Sequence, residues 1–270
     1  MKVTFIGGGN MASAMIGGLL TQGWNAADLR VVDIAGEARE RLEREFAVKT
    51  WAALDAAAAA ADCIVLAVKP QQMRETAREL RARLASQLVV TIAAGIRLAD
   101  LGRWLGGYHR LVRVMPNTPA LVGAGMSALY APAGVSAEEK SRAEAILNAV
   151  GTTVWVEKED LLDAVTAVSG SGPAYVFYFI EALEQAAQDL GLPAETARRI
   201  AMETFSGAAR LALESREPVA TLRQRVTSKG GTTERALQSM DTDRLKEAIV
   251  RAVRAAAERS RELGDELGKD

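Results

Sequence analysis

Three short segments of this 270-residue chain gather residue types that can do chemistry. Gly7-Gly8-Gly9-Asn10-Met11-Ala12 follows the apolar run Val3-Thr4-Phe5-Ile6 and leads into a helix signal beginning near Asn10. In that setting Gly7 suits a tight turn, Gly9 lets backbone approach a pyrophosphate, and Ala12 is small enough for helix-to-strand contact, with the helix N-terminus facing the anion. Asp33 ends the second apolar run, where an acidic side chain can accept from the ribose hydroxyls of NAD and repel the 2′-phosphate of NADP. A helix-capping or surface aspartate fits the same position, and Arg39 or Arg41 could neutralise a 2′-phosphate, so the choice of cofactor stays open. Farther along, Ser228-Lys229-Gly230-Gly231-Thr232-Thr233 precedes a helix signal over 233–240. Successive backbone N–H groups there can cradle a small anion with a helix dipole behind it, although a plain Gly-Gly turn with threonine caps reads the same way.

Other chemistries are poorly supplied. Cys63 is the one cysteine and lies inside an apolar run, which suits a small buried hydrophobe better than a reactive thiol. A disulfide within the chain is impossible. One cysteine and one histidine exclude the usual zinc spacings, and His109, between Tyr108 and Arg110, reads as a surface loop residue. The 33 basic and 34 acidic residues give a formal charge of -1, leaving no surplus to condense on nucleic acid or anionic lipid. The apolar run 3–6 is too short for a signal peptide, and no stretch approaches a membrane span, so a cytoplasmic protein is expected.

These segments need elements to hold them. Apolar, largely β-branched runs at 2–6, 29–33, 63–68, 88–92 and 111–115 predict strands covered on both faces. Helix-length segments at 10–22, 36–46, 54–61, 71–84 and 98–105 alternate with them, which predicts a Rossmann-type parallel sheet wound by right-handed crossovers. Strands at 126–130 and 152–157 flank a helix over 136–150, opened by a capping box of Ser136 and Glu139, and extend the same sheet. Past Asp160 alanine, leucine, glutamate, glutamine and arginine recur at helical spacing. The fold class is therefore α/β plus all-α, with a dinucleotide-binding domain over 1–158 and a helical domain over 159–270. Val176, Phe177, Phe179, Ile180 and Leu183 leave the helix after Gly172-Pro173 apolar almost all round, so a second chain is expected to cover it.

With the amino-terminal glycines, the segments Val114-Met115-Pro116-Asn117-Thr118-Pro119-Ala120, Val168-Ser169-Gly170-Ser171-Gly172-Pro173-Ala174-Tyr175 and Val226-Thr227-Ser228-Lys229-Gly230-Gly231-Thr232-Thr233-Glu234 resemble the pyrroline-5-carboxylate reductase family. Ala67-Val68-Lys69-Pro70-Gln71 and Ile92-Ala93-Ala94-Gly95 fit it too, so the resemblance runs over nearly the whole chain. It implies a Rossmann domain, a helical dimerisation domain, and reduction of the cyclic imine 1-pyrroline-5-carboxylate to L-proline with NADH or NADPH. It also implies homodimers gathered into decamers.

Residue by residue, the resemblance implies cofactor contacts from Ile6, Gly7, Gly8, Gly9, Asn10, Met11, Asp33, Val68, Lys69, Pro70, Ala93, Ala94, Met115 and Asn117. Ser228, Gly230, Gly231, Thr232 and Thr233 would receive the substrate, with Thr233 as the active-site threonine, and Glu159 would match an acid near the ring nitrogen. Lys229 replaces the proline usual in the substrate turn, and Ile34-Ala35 stands where many members carry groups for a 2′-phosphate. Two other readings compete. A β-hydroxyacid or related imine reductase shares the plan, but the hydroxyacid enzymes use a lysine after the interdomain glycine turn, and none follows Gly172 before Lys229. A silent dinucleotide sensor has no use for the Gly-Gly-Thr-Thr turn.

Overall fold

Short, largely apolar runs cannot divide their side chains between core and water, and both faces of these strands are covered. In the computed structural model, which describes residues 1–269, β1 (Val3–Ile6), β2 (Leu29–Val32), β4 (Cys63–Leu66) and β5 (Leu88–Thr91) are buried almost throughout. With β3 (Lys49–Trp51), β6 (Leu111–Met115), β7 (Gly125–Tyr130) and β8 (Gly151–Trp155) they form one eight-stranded sheet, ordered β3-β2-β1-β4-β5-β6-β7-β8. Every neighbouring pair is parallel except β6 with β7. The order reverses at β1, where Ile6 lies opposite Val32 on one side and Leu66 on the other. Doubly wound sheets bind ligands outside the carboxyl ends of strands at such a point.

Helices α1 (Asn10–Thr21), α2 (Gly36–Phe46), α3 (Ala56–Ala59), α4 (Met73–Arg81), α5 (Leu98–Trp104) and α6 (Ala137–Asn148) cover the sheet. The Ser136–Glu139 capping box of α6 is present as expected. Two sequence expectations differ. The alanine-rich helix expected over 54–61 shrinks to α3, because its carbonyls are claimed from outside: Thr4 Oγ1 donates to Ala58 O at 2.6 Å, Arg30 Nη1 to Ala57 O and Ala60 O at 2.6 Å each, and Gln87 Nε2 to Ala59 O at 3.2 Å. The unanticipated strand is β3, short and half-polar, paired only with β2 at the sheet edge.

Next come α7 (Leu161–Val165), continued by a wider π turn over Thr166–Gly170, then α8 (Gly172–Asp189), α9 (Ala194–Glu214), α10 (Val219–Arg225), α11 (Thr232–Thr242) and α12 (Leu245–Leu267). The chain forms two compact units, one of Met1–Ser171 with the chain from Ala256 onward, the other Gly172–Ala255. Leu162 and Asp163 of α7 are buried in the sheet unit, and Ser260 Oγ donates to Asp163 Oδ1 at 2.6 Å. Arg97 Nη1 meets Asp265 Oδ1 at 2.6 Å, so the last turns of α12 are tied to the segment before α5.

The helical unit is built differently. Of its hydrophobic residues only Ala197 and Ala201 are buried, whereas Phe177, Tyr178, Leu211 and Leu213 are all exposed. Among the described residues no helix is long and apolar enough to cross a membrane, and no cluster of metal-ligating side chains occurs.

Candidate active site

The glycine turn is shaped by three different constraints. Gly7 has φ +102°, and a Cβ there would stand 2.6 Å from Ala67 O. Gly8 donates its N–H to Asp33 Oδ2 at 2.6 Å, and its Cβ would meet Leu42 Cδ1 at 2.7 Å. Gly9 caps α1, and a Cβ on it would find nothing within 4 Å. The protein itself therefore leaves open the space that a side chain at Gly9 would enter. No side chain caps α1 and no acid stands in its first turn, which leaves its amino end suited to an anion.

Asp33 closes the same region. Its Oδ1 accepts from Ala35 N at 2.8 Å, so both carboxylate oxygens are held by backbone, one by the glycine turn and one by the turn before α2. Arg39 Nη1 donates to the carbonyls of Asp33 and Ile34 at 2.7 and 3.1 Å, and Arg41 Nη2 to Gly8 O and Ser13 Oγ at 3.0 and 3.1 Å. A crevice of about 440 Å³ opens at the carboxyl ends of β1, β2 and β4. It brings together Ile6, Gly7, Gly9, Asp33, Val68 and Lys69 of the expected cofactor residues.

The remaining expected contacts lie outside that crevice. Asn10 lines a second, open groove of about 800 Å³ with Phe46, Leu121 and Val122. Ala93 is buried just past β5, and Ala94 is half-buried beside it. Asn117 acts as a brace: its Oδ1 accepts from Met126 N at 2.8 Å, and its Nδ2 donates to Ser169 O and Oγ at 3.3 and 3.2 Å. A Cβ on Gly170, next to it, would stand 2.5 Å from Met115 Cε, so the end of that flexible side chain would have to shift. The small residues after Val168 thus make room for Met115 at the end of β6.

One carboxylate oxygen of Glu159 is engaged within the protein. Its Oε1 accepts from Leu98 N at 2.7 Å and from Arg113 Nη1 at 2.9 Å. The Arg113 side chain is only 6% exposed and needs that partner. Nothing in the sequence announced this pairing, since 46 positions separate the two residues.

The Ser228–Thr233 turn belongs to the helical unit. Gly230 has φ +73°, but its N–H donates to Glu234 Oε2 at 2.6 Å, and the Gly231 N–H donates to Ser228 O at 3.0 Å. The expected cradle of glycine N–H groups is therefore filled from within. Gly231 is extended rather than left-handed, and its constraint is the closeness of Ser228, whose Oγ a Cβ would meet at 2.9 Å. Gly231 caps α11 without a side-chain cap, so Thr232 and Thr233, the first residues of that helix, present its amino-end N–H groups together with two hydroxyls. Glu234, one residue on, is the partner that sequence reasoning missed. Elsewhere, burial pushes the Cys63 thiol up to about 12, which removes it as a nucleophile.

Comparison with known proteins covers both units. A family model described as pyrroline-5-carboxylate reductase dimerisation matches residues 159–263, and one described as NADP oxidoreductase, coenzyme F420-dependent, matches residues 2–95. A pyrroline-5-carboxylate reductase of Pseudomonas aeruginosa is 46% identical over 269 residues, 99% of this chain and 98% of that one. The structure of a pyrroline-5-carboxylate reductase from Coxiella burnetii superposes with a TM-score of 0.91 at 41% identity, covering 97% of this chain and 98% of the other. That of Plasmodium falciparum pyrroline carboxylate reductase with NADP bound gives a TM-score of 0.86 at 30% identity, covering 98% of each chain.

Proposed function

The chain belongs to the pyrroline-5-carboxylate reductase family, and from that premise we propose that it reduces 1-pyrroline-5-carboxylate to L-proline, the C=N bond taking a hydride from NADH or NADPH. The observation that carries this reading is that the likeness to the Pseudomonas aeruginosa reductase runs over 269 residues, so that it includes both the glycine turn and the Gly-Gly-Thr-Thr turn.

The residues of the sheet unit fit a dinucleotide. Open space at Gly9 and the uncapped amino end of α1 suit a pyrophosphate, and the crevice beside Asp33, Val68 and Lys69 suits an adenosine. When bound, the dihydronicotinamide supplies the hydride. The chain's own task is then to hold and orient. The amino end of α11 receives the substrate carboxylate through the N–H groups of Thr232 and Thr233, where the helix dipole favours an anion. The Thr233 hydroxyl donates to the ring nitrogen of the neutral imine and accepts from its N–H once that nitrogen is protonated. No strong acid is required, because a protonated imine is already electrophilic and positioning supplies much of the acceleration. Glu159 is left out of the substrate contacts and braces β6 through Arg113.

A homodimer formed through the helical unit completes the reading, supported by the poverty of that unit's own core. A decamer of such dimers in the cytoplasm is the finer expectation, and sedimentation of the purified protein separates it from the dimer. The activity is tested by following oxidation of NADH and NADPH with 1-pyrroline-5-carboxylate. Turnover with formation of proline is expected; absence of turnover with either cofactor overturns the proposal.

A further inference from the structure

The adenosine end of the crevice carries a charge pattern that bears on the choice between the two cofactors. They differ by one group, a phosphate on the adenosine ribose that adds roughly 1.5 to 2 negative charges at neutral pH. Asp33 lines the crevice and cannot swing aside without giving up two backbone hydrogen bonds, the 2.6 Å bond from Gly8 and the 2.8 Å bond from Ala35. Glu75 and Glu79, one turn apart on α4, line the same crevice, and Lys69 is the one cation in its lining. Three acidic residues thus line the crevice against a single lysine. Ile34 follows Asp33, lines the crevice and is 81% exposed, so the position after Asp33 offers no cation to a phosphate. Arg39 spends Nη1 on the carbonyls of Asp33 and Ile34 and is absent from the crevice lining.

We infer that Asp33, pinned by Gly8 and Ala35 in an acid-lined crevice, selects the cofactor with a free ribose 2′-hydroxyl, so that this chain prefers NADH to NADPH. The inference rests on the cofactor reading above and deepens it. A carboxylate oxygen held by one N–H retains a lone pair for a ribose hydroxyl, whereas a 2′-phosphate would bring like charge against a group unable to retreat.

Direct binding tests this without any turnover. Dissociation constants of NADH and NADPH are measured by calorimetry on the unliganded protein, its Asp33→Asn and Ile34→Arg variants, and the double variant Asp33→Ser/Ile34→Arg. The parent is expected to bind NADH at least about tenfold more tightly than NADPH, the scale of one charged hydrogen-bonded contact. Asp33→Asn keeps an acceptor for the Gly8 N–H while removing the charge and should narrow the ratio. Ile34→Arg leaves Asp33 and both its bonds intact, at an exposed position that tolerates it, and should strengthen NADPH binding. The double variant should favour NADPH. Equal or tighter binding of NADPH by the parent overturns the inference, as does a ratio unmoved in both single variants. Binding of neither nucleotide would instead refute the cofactor reading, and tight NADH binding without turnover of the imine would refute the substrate assignment alone.

Discussion

Gly7 and Gly9 stand two residues apart in one turn and answer to different constraints. At Gly7 the protein itself forbids a side chain, through a left-handed φ and the carbonyl of Ala67 at 2.6 Å from a Cβ; at Gly9 a Cβ meets nothing within 4 Å. Gly7→Ala should therefore lower stability by more than about 1 kcal/mol and weaken cofactor binding with it. Gly9→Ala should keep the melting temperature close to the parent's while cofactor affinity falls, and thermal unfolding beside calorimetric titration reads both. Equal loss of stability in the two variants would contradict the division. Thr233→Ala makes a second residue-scale test. If the hydroxyl meets the ring nitrogen, kcat/KM for 1-pyrroline-5-carboxylate should drop by about tenfold to 150-fold, some 1.5 to 3 kcal/mol, with the dissociation constant of the cofactor unchanged. Full activity in that variant, or a loss appearing wholly as weaker cofactor binding, would contradict the role.

At the scale of elements, Glu159 has a structural task that its place in the sequence does not show. Its carboxylate joins Leu98, at the start of α5, to Arg113 in β6, two residues before Met115. Removing it strands a guanidinium that is only 6% exposed, so Glu159→Ala should cost about 3 kcal/mol in chemical unfolding, with the KM for substrate little altered in the folded enzyme. A rise in KM without loss of stability would restore it to the substrate site. The elements that were legible in the sequence are those whose reasons are local. The strands at Val3–Ile6 and Cys63–Leu66 needed only apolar continuity, and α6 announced itself through Ser136 and Glu139. The alanine run at 56–61 misled because alanine's helix propensity is a weak preference, and Thr4, Arg30 and Gln87, distant in sequence, draw its carbonyls away. The substrate turn was legible as a glycine turn before a helix. That Glu234 would fill its N–H groups was not, since it depends on how a side chain folds back.

Across the whole molecule, the two units differ in how they are stabilised. The sheet unit buries its strands on both faces, while the helical unit exposes Phe177 by 61% and Leu213 by 86% and buries only alanines among its hydrophobic residues. Apolar surface on that scale marks an interface. The purified protein should sediment as a dimer or a larger species at micromolar concentration, and Phe177→Glu should shift it toward monomer and lower its melting temperature. A parent that sediments only as a monomer would contradict the assignment. The apolar α8 was visible in the sequence, but pairs such as Asp163 with Ser260 and Arg97 with Asp265, each bringing together positions far apart in the chain, were not. Hydride should pass directly from the dihydronicotinamide to the imine carbon of 1-pyrroline-5-carboxylate. Turnover with NADH stereospecifically deuterated at the transferable position of the nicotinamide ring, followed by mass spectrometry and NMR of the product, tests it most directly. One of the two deuterated epimers should yield L-proline carrying deuterium at C5 and the other unlabelled L-proline; proline free of deuterium from both, or no proline at all, would contradict it.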